Sequence, residues 1–479
     1  MLSNLDPASA LAVALLIFAL VMVILFEATN GFHDAANAVA TVIYSKSLTP
    51  IQAVVLSGVM NFLGVLLGGI SVAYALVELL PTDVLSPPGG GPAVAMLVAL
   101  FIAALSWNIG TWWLALPNSS SHCLIGSLIG IALGNAAVHA RELSAGVHWA
   151  QLSSVLKSLA LSPVLGFVLA AALYLIARRC IHDENLYEPP GANPPVWWMR
   201  FLLSLTCSGV SFAHGTNDGQ KSIGLIMLTI IGLFPATFAL DPQATAQLGR
   251  LPGLMREARP LITQFGDAER SQALDAMAAI EQPSPSGSLQ QVLTLESDPN
   301  NSAPIAGRQS SSALARSSLR DSLYRVIAQL KYVEESHHVS PQQKAQAKGL
   351  LQQIGSSVQY APKWVRMLSA ICLGVGTLIG YKRIVVTLGE RLGNIHLTPA
   401  QGACAELVSA VLITAAGFTG LPVSTTHVVT SGIGGTMVTA GAGLRYSMLK
   451  RIMIAWVLTL PITIIISGTL YYFLASPRV

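Results

Sequence analysis

The feature that most constrains this chain is a row of polar side chains inside an apolar helical segment near its start. Within residues 26–43, four polar residues fall at helical spacing on one face: Asn30, His33, Asp34 and Asn37. A carboxylate at membrane depth costs several kcal/mol unless it faces water, an ion or a partner. This row, the first polar stripe, therefore indicates a functional site. The competing interpretation, that Asp34 only caps a helix, is weakened by a second stripe.

The composition is that of a protein that crosses a membrane several times. Of the 479 residues, 52% are hydrophobic and 10% are charged, and the mean hydropathy is +0.59. The net charge of +4 is too small to suggest a nucleic acid partner, and five scattered cysteines predict neither a disulfide framework nor a zinc site. Stretches apolar and long enough to cross a bilayer are 9–29, 51–77, 93–116, 148–177, 199–213 continuing to 222–239, 364–381, 402–418 and 452–474. Two Gly-rich stretches are expected to be arms of membrane-inserted hairpins: 119–138 and 422–440.

The distribution of lysine and arginine predicts the orientation in the membrane. Residues 9–29 lack a basic leader and a cleavage site, so we expect a mature helix there and not a removed signal. Cytoplasmic loops are rich in Lys and Arg, and segments 79–92 and 139–147 hold one arginine between them. Both termini and the loop 241–362 are therefore predicted on the outer, periplasmic side. The residues assigned to the cytoplasmic side are Lys46, Arg178, Arg179, Arg200, Lys382, Arg383, Arg391, Arg445, Lys450 and Arg451.

Residues 241–362 are a break in composition. They contain linker-like sequences at 283–287 and 297–302. Apolar residues at helical spacing over 253–281 and 313–336 predict two or three short amphipathic helices in a small extramembrane insert. The second of these segments carries an apolar row made of Leu314, Leu319, Leu323, Val326, Ile327 and Leu330.

The chain contains an internal repeat. At an offset of 184 residues a second polar stripe matches the first: His214 corresponds to Asn30, Asn217 to His33, Asp218 to Asp34 and Lys221 to Asn37. A second repeated sequence, Pro-x-Ser-Ser/Thr-Ser/Thr-His, occurs at 117–122 and 422–427, which we call the hydroxyl motifs; they are 305 residues apart. The two offsets differ by 121 residues, almost the length of 241–362. When residues 241–362 are left out, both motif pairs have nearly the same offset, so they belong to one repeat.

The predicted orientation makes the two copies inverted in the membrane. Inverted repeats with broken helices and polar residues near the midplane are typical of secondary transporters, whose site lies at the repeat interface. The predicted fold class is an all-α polytopic membrane protein of two inverted-topology repeats with broken helices and re-entrant-type helical hairpins. The predicted divisions are a first repeat at 1–178, a linker at 179–198, the start of the second repeat at 199–240, the insert at 241–362 and the rest of the second repeat at 363–479.

Each hydroxyl motif follows one apolar segment and opens another, so its side chains stand at a helix break. The N-terminus of the following half-helix offers unpaired N–H groups and a positive dipole end, which suits an oxyanion. Two such ends that meet across a pseudo-twofold axis can surround a tetrahedral oxyanion. Simple helix capping is the alternative for each motif. The candidate anion-binding residues are Ser119, Ser120, Ser121, Ser424, Thr425 and Thr426.

The acidic stripes need a cation or a proton, because bare Asp34 and Asp218 would repel an anion. Asp34 with Asn37 supplies carboxylate and amide oxygens one helical turn apart, which is a ligand set for a hard cation. Lys221 holds the corresponding position beside Asp218, and its ammonium group can only donate. A lysine there can replace a sodium ion as counter-ion, which favours protonation as the coupling event. The alternative is that Lys221 snorkels to the membrane surface.

Several further polar residues accompany these motifs. Membrane histidines can relay protons near neutral pH. Supporting roles are assigned to Asn30, His33, Asn217, His122 and His427. Three other ionisable residues at or near membrane depth receive no assigned role: Glu27, Lys157 and Glu406.

The motifs fit two other classes of protein less well than a transporter. An intramembrane Ser/His hydrolase needs one activated nucleophile with a base against it. Here the motif is duplicated, the Ser-to-His spacing within each copy is too short to aim the imidazole at the hydroxyl, and no Gly-x-Ser-x-Gly elbow exists. A channel is disfavoured because dead-end hairpins and buried carboxylates suit an occluded site. The sequence predicts no enzyme and no cofactor.

The stripe sequences at 31–38 (Gly-Phe-His-Asp-Ala-Ala-Asn-Ala) and 215–222 (Gly-Thr-Asn-Asp-Gly-Gln-Lys-Ser) resemble the duplicated signature of the inorganic phosphate transporter (PiT) family. The hydroxyl motifs resemble its paired hairpin motifs, and the resemblance covers the chain outside 241–362. Within the family, the chain is most similar to the bacterial low-affinity transporters, which carry phosphate with protons as a neutral metal–phosphate complex. The resemblance implies that Asp34, Asn37 and Asp218 form the coupling-cation region and that the six hydroxyl residues hold phosphate.

Two departures from the family pattern favour proton coupling. His33 stands where the first signature usually has Asn, and Lys221 stands where sodium-coupled members have Asn. The resemblance therefore implies a multi-pass symporter of the bacterial inner membrane that imports inorganic phosphate, with a divalent metal, together with protons by alternating access. It leaves a homo-oligomer open. A sodium-coupled phosphate carrier and a sulfate carrier of the same fold are the alternatives.

Overall fold

The computed structural model describes residues 7–77, 79–80, 91–142, 147, 149–189, 191, 194–241, 244–267, 269–281, 288–297, 305–336 and 338–476. Contacts divide the chain into two compact units, one of residues 1–84, 91–226 and 362–479 and the other of residues 85–90 and 227–361. Both polar stripes and both hydroxyl motifs belong to the first unit. Some predicted features lie beyond the described residues: the linker at 283–287, nearly all of the linker at 297–302, and parts of the two segments predicted on the outer side.

The part of the chain before the insert forms long helices. They are α1 (Pro7–Tyr44), α2 (Pro50–Leu67), α3 (Ser71–Val77), α4 (Gly91–Trp113), α5 (Ser120–Val138), α6 (Trp149–Cys180) and α7 (Trp197–Leu233). The two polar stripes lie inside uninterrupted helices, α1 and α7. The apolar stretch predicted over 51–77 is divided between α2 and α3, and a side chain of α7 fills the break: Gln220 Oε1 accepts the Val72 N–H at 2.8 Å.

The regular secondary structure in the described residues of the second unit is helical. Its helices are α8 (Pro235–Phe238), α9 (Thr245–Leu248), α10 (Leu251–Phe265), α11 (Arg270–Glu281), α12 (Ser288–Ser297), α13 (Ile305–Glu335) and α14 (Pro341–Gly355). The prediction of two or three short helices is therefore wrong in number and length, since α13 alone has 31 residues. One missed signal is the capping box at the start of α14, where Ser340 and Gln343 cap each other's backbone.

The core of the second unit is built around α13. Its predicted apolar row is buried, except that the side chain of Leu314 is 69% exposed. Arg320 is buried on the same helix and donates to the carbonyl oxygens of Ala239 at 2.7 Å and Val358 at 3.2 Å. This guanidinium therefore joins the two ends of the unit to its central helix, a contact that the apolar spacing does not reveal.

After the insert the chain returns to the first unit. The remaining helices are α15 (Lys363–Thr377), α16 (Lys382–Val386), α17 (Pro399–Thr419), α18 (Thr425–Thr439) and α19 (Tyr446–Ala475). Seven helices of the described residues are long and apolar enough to cross a membrane, or eight if the segments 363–377 and 382–391, bent by 54°, form one span. The predicted all-α polytopic class is confirmed. The inversion of the two repeats and the orientation of the termini stay predictions.

Each hydroxyl motif separates two helices of a hairpin, α4 from α5 and α17 from α18. Ser119 caps α5 by accepting the N–H of His122 at 3.1 Å, and Ser424 caps α18 by accepting the N–H of His427 at 3.1 Å. Gly420 ends α17 in the left-handed conformation, with φ of 73°. The predicted hairpin arms agree with α5 and α18 to within three residues at each end.

The two halves of the membrane unit pack on each other reciprocally. Helix α5 lies along α19, and α18 lies along α6, so the hairpin arm of each half packs on a long helix of the other half. Small residues allow the backbones to approach: an added Cβ at Gly130 would overlap the carbonyl oxygen of Ile464, and one at Gly435 would overlap that of Phe167.

We expect Gly130→Ala to destabilise the membrane unit. The new methyl group has no space beside the backbone of α19, and overpacking of this kind costs about 1–3 kcal/mol. The measurement is the midpoint of thermal unfolding of the purified protein in detergent. Gly110→Ala is the matched control, because an added Cβ at Gly110 of α4 meets nothing within 4 Å. Equal midpoints for the two variants would contradict the close approach of α5 and α19.

Candidate functional site

The two polar stripes and the two hydroxyl motifs converge at one buried centre between α1, α5, α7 and α18. Every residue that the sequence singles out there is buried: Asn30, His33, Asp34, Asn37, Ser119, Ser120, Ser121, His122, Asn217, Asp218, Lys221, Ser424, Thr425, Thr426 and His427. Helical spacing puts the stripe residues on one face of each helix, and capping puts the hydroxyls in the first turns of α5 and α18. Their meeting, however, depends on how these four helices cross.

The carboxylate of Asp34 is surrounded by groups that can donate hydrogen bonds. Thr426 of α18 donates to its Oδ1, and Ser120 of α5 lies 3.4 Å from its Oδ2. Asn37 directs its amide nitrogen at Oδ1, 3.3 Å away, and its own oxygen has no hydrogen-bond partner. Asn37 thus directs its amide nitrogen, not its oxygen, at Asp34, and its role in binding the coupling cation stays a prediction.

Asp218 forms the second half of the centre. Lys221 Nζ lies 2.6 Å from its Oδ1, and Ser120 Oγ lies 3.4 Å from its Oδ2. The single hydroxyl of Ser120 thus contacts the carboxylates of both stripes. It joins one helix N-terminus to the two acidic groups.

Lys221 does not extend to the membrane surface. Its side chain is 2% exposed, and its ammonium group donates to Ser121 and lies 3.3 Å from the carbonyl oxygen of Val423. Ser121 in turn donates to the same carbonyl at 3.0 Å. Lys221 therefore links Asp218 to both hydroxyl motifs. The snorkelling alternative is wrong for this residue, because the ammonium group has three partners inside the protein.

His214 lies between the two aspartates, although the sequence did not single it out as a site residue. Its Nε2 is 3.5 Å from Asp34 Oδ2 and 3.5 Å from Asp218 Oδ2. The signal was present in the repeat, because His214 occupies the stripe position that corresponds to Asn30. The sequence could not show that this position faces the opposite stripe.

A chain of hydrogen bonds determines which nitrogen of His214 carries a proton. Thr377 donates its hydroxyl to the Leu373 carbonyl at 2.9 Å, so it accepts from the amide nitrogen of Asn61 at 2.9 Å. The Asn61 oxygen is then left to accept from His214 Nδ1 at 2.8 Å. A neutral His214 would therefore present the lone pair of Nε2 to two carboxylates. A proton on Nε2, or a cation among the three groups, removes that repulsion.

The same three residues form a group that can hold a cation. Ligand atoms of Asp34, His214 and Asp218 lie within 4.8 Å of one another. Lys221 already provides a positive charge for Asp218, and the Nδ2 of Asn37, not an oxygen, is directed at Asp34. The two carboxylates are thus surrounded by the hydroxyl oxygens of Ser120 and Thr426, the imidazole of His214 and the amide nitrogen of Asn37.

The N-termini of α5 and α18 meet beside the carboxylates. The backbone N–H groups in the first turn of a helix have no partner within the helix, and both ends carry hydroxyl side chains. The rings of His122 and His427 lie 4.5 Å apart between centroids, and His427 stacks on Trp456 at 3.8 Å. The predicted meeting of two half-helix ends is present in the structure. The hydroxyls at these ends also contact the carboxylates of the stripes directly.

A histidine of the first hydroxyl motif contacts a serine of the same motif, contrary to the expectation from the sequence. His122 Nδ1 lies 2.7 Å from Ser119 Oγ, so the statement that the spacing is too short for this contact is wrong. In a helix N-cap, the side chain of the fourth residue can turn back to the capping hydroxyl. Ser119 also accepts the His122 N–H, and the pair therefore closes the first turn of α5.

The remaining supporting residues take separate positions. His33 Nε2 lies 2.8 Å from the carbonyl oxygen of Asn108 in α4. Asn217 is buried with neither side-chain atom in a hydrogen bond, and Asn30 Oδ1 is likewise without a partner. His33 of the first stripe therefore contacts the backbone of α4, whereas His214 lies at the centre of the site.

These features define a multi-pass helical membrane transporter with a buried centre of hydroxyls, carboxylates and cationic groups. The chain belongs to the phosphate transporter family: the model of the "Phosphate transporter family" matches residues 30–467. This is a family of transporters and not of enzymes. The family expected from the stripe and hydroxyl motifs is thereby confirmed.

The comparisons with individual proteins agree with this family. The chain is 39% identical to "Low-affinity inorganic phosphate transporter PitA" of Escherichia coli (strain K12) over 482 residues, covering 96% of each chain. It is 38% identical to "Low-affinity inorganic phosphate transporter PitB" of the same strain, again over 96% of each chain. Among solved structures, "The sodium-dependent phosphate transporter" has the same fold, with a TM-score of 0.55, 18% identity, and coverage of 96% of this chain and 99% of that one.

Proposed function

We propose that this chain is a secondary active symporter that imports inorganic phosphate together with protons by alternating access. Family membership supports phosphate as the substrate, because the similar E. coli chains are named low-affinity inorganic phosphate transporters. The phosphate would be held by the hydroxyls and first-turn N–H groups of α5 and α18. Asp34 and Asp218 would carry the coupling charge.

Ser120 is the residue that carries this proposal. Its hydroxyl stands in the first turn of α5 and lies 3.4 Å from an oxygen of both Asp34 and Asp218. A phosphate oxygen bound at this turn comes close to two carboxylates. Like charges at such distances repel strongly in a medium of low dielectric constant. The anion therefore binds only after the carboxylates have taken up positive charge, which couples the two events at one hydroxyl.

The cationic groups of the centre favour the proton as the coupling ion. Lys221 stands as the counter-ion of Asp218 at 2.6 Å, where a bound sodium ion would otherwise neutralise the carboxylate. His214 Nε2 lies 3.5 Å from both aspartates and can hold a proton there. Uptake and release of a proton by Asp34, Asp218 and His214 would then switch the affinity for phosphate.

We also propose that phosphate travels as a complex with a divalent metal ion. The complex has a lower net charge than free phosphate, so it costs less to bring into a site that is buried at membrane depth. The metal ion is then part of the cargo. We propose the bacterial inner membrane as the location, with both termini and the insert on the periplasmic side, on the basis of the lysine and arginine distribution.

One observation favours a sodium-coupled carrier as a second candidate. The group of Asp34, His214 and Asp218 has the spacing of a cation site. A solved structure with this fold is that of a sodium-dependent phosphate transporter. Against this candidate stands the ammonium group of Lys221, which already lies beside one of the two carboxylates.

We expect a proton gradient, and not a sodium gradient, to drive phosphate accumulation. The purified chain is reconstituted in liposomes, and uptake of radiolabelled phosphate is measured with an inward proton gradient without sodium, or with an inward sodium gradient at equal pH. Each assay is run with and without Mg²⁺, which should stimulate uptake if the metal complex is the cargo. Uptake that needs sodium and ignores the pH gradient would contradict proton coupling. Equal competition by sulfate would contradict phosphate as the preferred substrate.

A further inference from the structure

The polar face of α1 extends beyond the first stripe in both directions. Glu27 lies seven residues before Asp34, and Thr41 lies seven residues after it. Two heptad steps return to the same face of a helix, so these residues continue the row. At 1.5 Å per residue the face from 27 to 41 is about 21 Å long, compared with about 30 Å for the hydrocarbon core of a bilayer.

The carboxylate of Glu27 is buried at the N-terminal side of this face. The residue is 1% exposed, and neither carboxylate oxygen has a partner in normal hydrogen-bond geometry. Asn30 of the same helix and Ser222 of α7 lie close enough to interact with it electrostatically. The polar neighbours are therefore neutral, and none of them compensates a full negative charge.

The ionisable groups that face Glu27 belong to α7 and α15. They are Asp218 and His214 of α7 and the thiol of Cys372 in α15. Asp218 repels a second negative charge, and His214 is already placed between the two aspartates. The ammonium group of Lys221 is engaged by Asp218 and by both hydroxyl motifs. No described residue thus serves as a dedicated cationic partner of Glu27.

The second half of the chain has no equivalent of this acid. At the repeat offset of 184 residues, Glu27 corresponds to Ser211. The hydroxyls of Ser211 and Ser57 form a hydrogen bond of 2.8 Å. The side chain at this position therefore has a hydrogen-bond partner without carrying a charge. A purely structural role could therefore be filled by a neutral side chain, whereas a carboxylic acid at this depth is costly and indicates a function.

We propose that Glu27 is a second proton-carrying group of the transport cycle, in addition to the centre formed by Asp34, His214 and Asp218. This inference rests on the proposed proton–phosphate symport. In one orientation of the transporter the Glu27 carboxylate binds a proton from water, and in the other orientation the O–H bond breaks and the proton returns to water on the opposite side. Each cycle then moves one proton more than the central group alone would carry.

The number of coupled protons determines how far phosphate can be accumulated. For a gradient of one pH unit, each coupled proton supports a concentration ratio of about tenfold, since one pH unit corresponds to 1.36 kcal/mol. Glu27→Gln has nearly the same shape and cannot release a proton. We therefore expect this variant to lower the steady-state accumulation ratio by about tenfold per pH unit and the measured proton-to-phosphate ratio by one.

The test compares four proteins in liposomes: the wild type, Glu27→Gln, Glu27→Asp and Glu335→Gln, the last being the same chemical change at an exposed residue of α13. Counterflow of radiolabelled phosphate at equal pH measures carrier function without net proton movement. Accumulation under a pH gradient and the proton flux reported by an enclosed dye measure coupling. We expect Glu27→Gln to retain counterflow and to accumulate about tenfold less phosphate per pH unit, and the other two variants to resemble the wild type.

Four results would overturn the proposal. Wild-type accumulation and proton ratio in Glu27→Gln would remove Glu27 from the coupling. Loss of counterflow in both Glu27→Gln and Glu27→Asp would indicate a structural role. A wild type that shows counterflow but no pH-driven accumulation would refute proton coupling as such, and a wild type without phosphate counterflow would refute the proposed function.

Discussion

Replacing Asp218 by asparagine is expected to abolish proton-driven phosphate uptake while the protein still inserts in the membrane. The change removes the carboxylate that lies 2.6 Å from Lys221 and 3.4 Å from Ser120. Breaking a buried ion pair by removing one partner costs about 3–5 kcal/mol of folding stability. The variant also lacks the carboxylate proposed to take up the coupling charge, so uptake under a pH gradient should fall to the background of protein-free liposomes. The measurement is the initial rate of uptake under a pH gradient, normalised to the protein in the liposomes.

Two controls separate the loss of coupling from a loss of folding. The double variant Asp218→Asn/Lys221→Asn leaves no unpaired charge at this position, so its midpoint of thermal unfolding should recover while uptake stays absent. Asp275→Asn makes the same change at an exposed residue of α11 and should transport normally. Normal proton-driven uptake by Asp218→Asn would refute the role of this carboxylate.

Lys221→Asn is expected to change the coupling ion. The variant gives the second stripe the same Asp and Asn spacing as the first stripe, where Asn37 follows Asp34. Asp218 then lacks its counter-ion, which costs about 3–5 kcal/mol of folding stability, and pH-driven uptake should fall because the carboxylate is left unpaired. A sodium ion can take the vacated position beside the carboxylate, so an inward sodium gradient should restore part of the uptake.

The measurement is phosphate uptake by Lys221→Asn as a function of sodium concentration at equal pH on both sides. Lys348→Asn, at an exposed residue of α14, is the matched control and should behave as the wild type. Unchanged pH-driven uptake without sodium in Lys221→Asn would show that the ammonium group does not determine the coupling ion. A simultaneous loss of phosphate counterflow would instead assign Lys221 to the anion site through Ser121 and Val423.

The hairpin arms could be predicted closely because local chemistry determines where they begin. Ser119 and Ser424 cap their helices through hydrogen bonds to residues three positions later, and such bonds depend only on nearby sequence. The insert was predicted less well. Segments such as 341–355 are rich in polar helix formers and bury few apolar side chains, so apolar periodicity alone does not reveal them.

Spacing along the sequence also does not show which residues of other helices surround a site residue, and this explains the errors at the site. The repeat assigns His33 and Asn217 to equivalent positions beside the aspartates, yet His33 contacts Asn108 of α4, whereas Asn217 has no hydrogen-bond partner. The repeat places His214 at a stripe position, but the sequence did not assign it to the site. Residues at matched positions of a repeat share a helix face, but their neighbours come from different helices.

The sequence by itself determined the membrane class, the duplicated motifs, the helix breaks and the family, because each of these depends on composition, spacing or local capping. Only the tertiary structure decided that His214 lies between Asp34 and Asp218, that Ser120 contacts both carboxylates, and that Lys221 connects Asp218 to the hydroxyl motifs. These contacts join helices that are distant in the chain. They depend on the angles and depths at which α1, α5, α7 and α18 cross, which no spacing along a single helix contains.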